Sequence, residues 1–188
     1  MCGRFLLDAD FDSIIYYYGY LINQENSVEF PKGDVFPSQN FPIITSGNKL
    51  LPFKWGLNIS GLNKSLINAR SESLFTKPIY KNMFINRCLI IANSFYEWDD
   101  KTKVKYKISG ESPFITLGGI YSKDSFLIIT KGANSYMKGI HKRMPLIIKK
   151  DEEAAFLSDN KLAKEITYKP VFERLILEPV SNQQISLF

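Results

Sequence analysis

The chain's 188 residues, 45% hydrophobic and 14% aromatic, fit one domain whose interior is large enough to need neither metal nor disulfide staples. Its two cysteines, Cys2 and Cys88, exclude a disulfide framework, and no signal-like opening segment or apolar run near the ~18 residues of a membrane span is present, so a reducing, cytoplasmic setting is expected. A net charge of +5 inclines the chain toward an anionic partner such as nucleic acid without specifying one.

The first stretch with chemical content is Met1-Cys2-Gly3-Arg4-Phe5. Loss of Met1 would leave Cys2 with a thiol and a primary amine on adjacent carbons, a pair no internal cysteine offers; such an amine titrates at roughly 7.7–8.0 and is partly nucleophilic near neutrality. Next, Asp8, Asp10 and Asp12 cluster at the front of a run carrying Phe11, Ile14, Ile15 and Tyr18, with Gly19 behind them. Acidic start, apolar spacing of three and four, and a terminal glycine predict a short amphipathic helix. Asn23 to Lys32 is polar and reads as a loop leading to Asp34-Val35-Phe36-Pro37-Ser38-Gln39. Phe41 to Thr45 and Leu50 to Trp55 flank Ser46-Gly47-Asn48, a hairpin signal.

After a polar loop comes Asn68-Ala69-Arg70-Ser71-Glu72-Ser73, a cluster that a helix cap explains as well as an active site. Pro78 to Met83 suits a helical turn, proline being favoured in the first turn. Arg87 to Ala92 reads as a buried strand, and Phe95-Tyr96-Glu97-Trp98 continues it past Asn93-Ser94. Asp99 to Thr102 turns the chain into Lys103 to Ile108, whose alternating lysines describe a half-exposed strand of the kind that charge protects at a sheet edge. Phe114 to Leu117, Phe126 to Thr130 and Leu146 to Ile148 are further strands, and Asp151 is expected to cap a helix through Leu157. Many short strands and few helices predict an α+β class: a single domain with a largely antiparallel β-sheet or barrel-like core and a few short helices.

Among candidate reactive groups, Glu97 sits in an apolar run, where desolvation would raise its pKa and suit it to proton transfer, unless strand alternation turns it to solvent or a basic partner holds it. His141, the one histidine, could act as general acid or base or be an ordinary loop residue, and Arg143 two positions on offers a phosphate-binding guanidinium. One histidine and two separated cysteines do not make a zinc site, so neither metal nor cofactor is expected.

Taken in order, Met1-Cys2-Gly3-Arg4-Phe5, Pro37-Ser38-Gln39, Trp55-Gly56-Leu57, Asn68 to Ser73, Arg87-Cys88-Leu89-Ile90, Ala92-Asn93, Phe95-Tyr96-Glu97-Trp98, Ile140 to Pro145 and Pro179-Val180-Ser181 resemble the SRAP family of abasic-site processing proteins, first named SOS response-associated peptidases. The resemblance spans almost the whole chain and implies a family domain over 1–181, followed by a tail at 182–188. It further implies a monomeric sensor of abasic sites in single-stranded DNA. In that reading Cys2, freed of Met1, crosslinks the ring-opened aldehyde as a thiazolidine, Asn68 orients the intermediate, Glu97 moves protons, and His141 lies near the sugar oxygen. Arg4, Arg70 and Arg143 would hold phosphates, and Trp55 and Pro37 would form the surface where the strand bends and bases stack.

The chain departs from the family pattern at Ile91 and Ser94, where proline and glycine are usual, at Gly118 to Ser122, and at Asp34, where asparagine is common. Its last residues, Gln184-Ile185-Ser186-Leu187-Phe188, are similar to peptides that bind the bacterial sliding clamp, with Gln184, Leu187 and Phe188 as anchors. Two rival readings stay open: an N-terminal-nucleophile cysteine peptidase or amidase, including one whose only substrate is Met1, and a non-covalent single-strand binding module. A bacterial host would make the protein nucleoid-associated.

Overall fold

A computed structural model describes residues 2–23, 28–59, 65–170 and 174–180. In chain order these form β1 (Phe5–Leu7), α1 (Phe11–Tyr18), β2 (Gly33–Val35), β3 (Asn40–Thr45), β4 (Leu50–Trp55), β5 (Asn68–Arg70), α2 (Pro78–Met83), β6 (Arg87–Ala92), β7 (Ser94–Trp98), β8 (Lys105–Ser109), β9 (Ile115–Ser122) and β10 (Ser125–Gly132). Then come β11 (Arg143–Pro145), β12 (Ile147–Ile148), α3 (Glu153–Ser158), α4 (Asn160–Tyr168) and β13 (Ile176–Pro179).

Five strands close a barrel in the order β10-β4-β3-β6-β9 and back to β10. Closure explains why β6 is buried at every residue and β10 at all but its last: their side chains meet the barrel interior on one face and packed elements on the other. Four of the five pairings are antiparallel, and β4 meets β10 parallel through Ser125↔Lys54 and Phe126↔Trp55. The tightest approach in the barrel wall is at Gly119, where an added Cβ would lie 2.6 Å from Ile90 Cδ1 and 2.8 Å from the Leu127 carbonyl oxygen. Beyond β4, β5 continues parallel on β10, and β11 pairs with the end of β10. A second, antiparallel sheet runs β13-β8-β7-β1-β2. The architecture is thus α+β with a closed five-stranded barrel.

Local chemistry places the helices. Asp10 caps α1, its Oδ1 accepting from Ser13 N at 2.9 Å, and Gly19 does not stop the chain in a left-handed turn but leads right-handed into a 3-10 turn over Gly19–Leu21. A buried network then ties three elements to the barrel: Thr116 Oγ1 donates to Glu153 Oε1 at 2.5 Å, Tyr20 donates to Glu153 Oε2, and Tyr18 contacts Thr116 at 3.0 Å. Arg87, 2% exposed, gathers the carbonyls of Phe84, Phe156 and Leu157 and the Asn160 amide oxygen, and so pins α3 and α4.

Three sequence expectations are corrected. Asp151 does not cap a helix: it lies in a 3-10 turn over Lys150–Glu152, and α3 begins at Glu153 without a side-chain cap. The lysine-bearing strand β8 is not an edge, because β13 pairs along it from Ile176↔Ser109 to Pro179↔Tyr106. Helix α4 went unread; Asp159 caps it through Lys161 N at 2.7 Å and Leu162 N at 2.9 Å. Among the described residues no helix is long and apolar enough to cross a membrane. The tail at 182–188, with Gln184, Leu187 and Phe188, lies outside the described residues.

Candidate active site around Cys2

Strand register brings the reactive residue to its partners. In the β1–β7 pair Phe5 faces Phe95 and Leu6 faces Ser94, and the ladder continues past the strand end through Tyr96 N donating to Arg4 O at 2.9 Å. Two residues before Arg4, Cys2 is fully buried and close enough to Glu97 for that carboxylate to act on its thiol. Alternation along β7 turns Glu97 inward, where it is 2% exposed, and Tyr96 and Trp98 to the other face. From the opposite side β5, held on β10 through Ile128↔Asn68, delivers Asn68, whose Nδ2 donates to the Cys2 carbonyl at 2.9 Å. Its Oδ1 is buried with no hydrogen-bond partner among the described residues.

The electrostatics follow from that enclosure. Burial, reinforced by the Glu97 charge, pushes the Cys2 thiol up to about 12, and Sγ lies 4.0 Å from the Arg4 carbonyl oxygen. Burial likewise raises Glu97 above the ordinary carboxylate range, with the His141 charge pulling the other way. Cys2, Asn68, Glu97 and His141 therefore converge, although they come from the chain start, β5, β7 and the segment before β11.

His141 Nδ1 lies 2.9 Å from both the backbone N–H and the carbonyl oxygen of Arg143. A neutral ring accepts from the N–H and a protonated ring donates to the carbonyl, so Nδ1 keeps a partner in either state. Nε2 lies 3.7 Å from Asp100 Oδ1. The Arg143 side chain is bound to Glu72 by two bonds, 2.8 Å to Oε1 and 3.0 Å to Oε2, and to the Thr130 carbonyl at 2.6 Å. That pairing holds the Glu72 carboxyl below its usual range.

Of the other expected DNA-facing residues, Arg70 is exposed at the end of β5 and Pro37 is half-buried after β2. Trp55 is corrected: it is 0% exposed, its ring stacked 6.3 Å from Phe126 and its Nε1 donating to Ile67 O at 2.9 Å, so it is a core residue and offers no face to a base. Arg4 lies over the rings of Phe36 and Tyr96 at 4.7 and 5.1 Å and is ion-paired with Asp34. The part of Tyr96 and Lys105 in this surface has no counterpart in the sequence reading, though the period-2 alternation of β7 opposite Glu97 was the signal for Tyr96. Among the described residues no three of His, Cys, Asp and Glu converge as a metal site.

The SOS response associated peptidase (SRAP) family matches over residues 1–186. The abasic site processing proteins YoaM and YoqW of Bacillus subtilis (strain 168) are 37% and 34% identical, over 84% of this chain and 79% and 80% of theirs. A crystal structure of a protein from Bacteroides thetaiotaomicron has the same fold, with a TM-score of 0.81 at 22% identity over 96% of this chain and 93% of that one. The chain belongs to the SOS response associated peptidase (SRAP) family.

Proposed function

We propose that the protein captures abasic sites in single-stranded DNA by a covalent bond to Cys2, formed once Met1 has been removed. The observation that carries this reading is the Asn68–Cys2 bond: a side chain from β5 fixes the Cys2 carbonyl, and with it the α-nitrogen and Sγ, beside the buried Glu97. An abasic deoxyribose opens to an aldehyde, for which an amine and a thiol on adjacent carbons are matched reactants. The amine adds to the aldehyde carbon, water leaves, and an imine remains. Sγ then bonds to the imine carbon as its proton passes to nitrogen, closing a five-membered thiazolidine with the net loss of one water and no oxidation.

Each neighbour has a task in that sequence. Asn68 orients residue 2, Glu97 is placed to take and return protons during ring opening and closure, and His141 can exchange a proton while Nδ1 keeps its Arg143 partner. Arg70 is exposed for a phosphate, and Phe36 and Pro37 border the strand path. The peptidase reading is the weaker one, since a thiol pushed up to about 12 supplies no resting thiolate for attack on an amide.

The test incubates protein lacking Met1 with single-stranded DNA carrying one abasic site and reads a heat-stable adduct by denaturing gel and mass. Equal adduct in Cys2→Ala would sink the thiazolidine, because alanine keeps the amine but cannot close the ring. Retention without adduct identifies a non-covalent module, and turnover of a peptide in trans identifies a peptidase. For the tail, the proposal is a sliding-clamp peptide anchored by Gln184, Leu187 and Phe188; clamp binding unchanged after deletion of 182–188 removes it.

A further inference from the structure

We propose that Asp34 withholds Arg4 from the DNA phosphates and fixes it as the central rung of a base-stacking surface, an inference that rests on single-stranded DNA being the ligand. The register of the second sheet assembles the surface. Phe5↔Val35 and Phe5↔Phe95 put Phe36 and Tyr96 directly across from Arg4 on either side, on one face of the sheet, with Asp34 on the diagonal. Trp98↔Lys105 extends the same face by one strand. The guanidinium lies 4.7 Å from the Phe36 ring and 5.1 Å from Tyr96, and Lys105 Nζ lies 3.8 Å from Tyr96 and 5.9 Å from Trp98. Aromatic and cationic groups thus alternate across three strands and the residue following β2, ending in Phe36 and Trp98, which are 42% and 40% exposed.

The charge on this row is not what the arginine alone would give. Arg4 Nη2 donates to Asp34 Oδ2, so the guanidinium charge is balanced where it stands. A phosphate would have to displace an internal ion pair that is only about a quarter exposed on each side. A base needs no such exchange: it stacks on the exposed rings that end the row, Phe36 and Trp98, whatever its hydrogen-bonding edge, and Arg4, lying over Phe36 and the buried Tyr96, braces that surface from within. Asparagine at position 34 would preserve the shape and leave the positive charge available, and so would convert the same row from stacking surface to phosphate clamp.

The experiment titrates the full chain with single-stranded DNA lacking any aldehyde, across a range of salt, in the wild type, Asp34→Asn and the charge-balanced double variant Arg4→Gln/Asp34→Asn. The expected log–log salt slope of the double variant equals that of the wild type, while Asp34→Asn is steeper by about 0.7, the increment for one phosphate on a single strand. A parallel titration with a strand of tetrahydrofuran spacers, which has the backbone but no bases, reads stacking. The preference of the wild type for the base-bearing strand is expected to fall about tenfold in the double variant, the size of one lost stacking contact. A double-variant slope shallower by about 0.7, an unchanged slope in Asp34→Asn, or an unchanged preference for bases overturns the inference. Failure of the wild type to bind either strand instead overturns the single-strand reading beneath it.

Discussion

At Cys2 and Glu97 burial raises two ionisable groups above their ordinary values, and each has a measurable signature. With Met1 attached, the Cys2 nitrogen is an amide and its thiol is buried, and Cys88 is raised well above its ordinary value by burial alone. Thiol titration at pH 8 is therefore expected to find no fast-reacting cysteine in the native chain and both in denaturant; a fast native thiol would contradict the burial of Cys2. Glu97 acts on stability. Its folded pKa is raised, so between the unfolded carboxylate value and the folded one the native state holds the extra proton and stability falls as pH rises. Glu97→Gln removes that cost while abolishing the proton carrier. The variant is expected to match the wild type below pH 4 and to melt about 2–4 °C higher at pH 8, roughly 1 kcal/mol in a chain of this size, with adduct formation impaired. Equal melting at both pH values would mean that Glu97 carries no desolvation cost.

The same residue scale shows what sequence could and could not convey. Cys2, Asn68, Glu97 and His141 were singled out by the family resemblance, their own stretches leaving helix-cap, solvent-facing and loop readings open, and the fold brings those stretches together. Trp55 misled because an indole reads alike on a surface or in a core. Its strand held the answer: Phe53 and Trp55 are both buried, and the intervening Lys54 is not. Asp34 was visible as a departure, but its ion pair with Arg4 depends on the pairing of β1 with β2, which no local pattern announces.

At the scale of elements, strands β3, β4, β6, β9 and β10 were readable as apolar runs, whereas α4 was not. Its buried face consists of Ala163, Ile166 and Thr167, a spacing that is helical but too weakly apolar to stand out from the lysines around it. The cap at Asp159 was the better signal. Strand β9 makes the sharpest elemental prediction. Gly119→Ala would drive a methyl into the Leu127 carbonyl oxygen as well as the Ile90 and Cys88 side chains, and a backbone oxygen in the paired strand cannot turn away. Urea unfolding is expected to show a loss of about 1–3 kcal/mol. Gly132→Ala, where an added Cβ meets nothing within 4 Å, is the control and should leave the midpoint nearly unchanged.

For the molecule as a whole, the succession of many short strands and few helices foretold the α+β class, but closure of the barrel depends on β10 meeting β4 in parallel and β9 antiparallel, a long-range choice invisible in any one segment. The net charge of +5 acts at this scale too, through association and not through chemistry. Capture of an abasic strand is expected to slow steeply between 50 and 200 mM salt, while adduct already formed survives transfer to 1 M salt. Adduct that dissociated on that transfer would indicate a complex held by ion pairs alone.

The brevity of the segment before β1 has a practical consequence for anyone producing this protein. Only Gly3 and Arg4 separate Cys2 from a strand locked at Phe5 by neighbours on both sides, so the chain start has no slack with which to reposition itself. A purification handle at that end, or even a single residue left behind by a cleavage enzyme, would keep the Cys2 nitrogen an amide beside the buried Asn68 and Glu97. Handles belong at the other terminus, and preparations should be graded by the mass of their first residue before any assay of capture is compared.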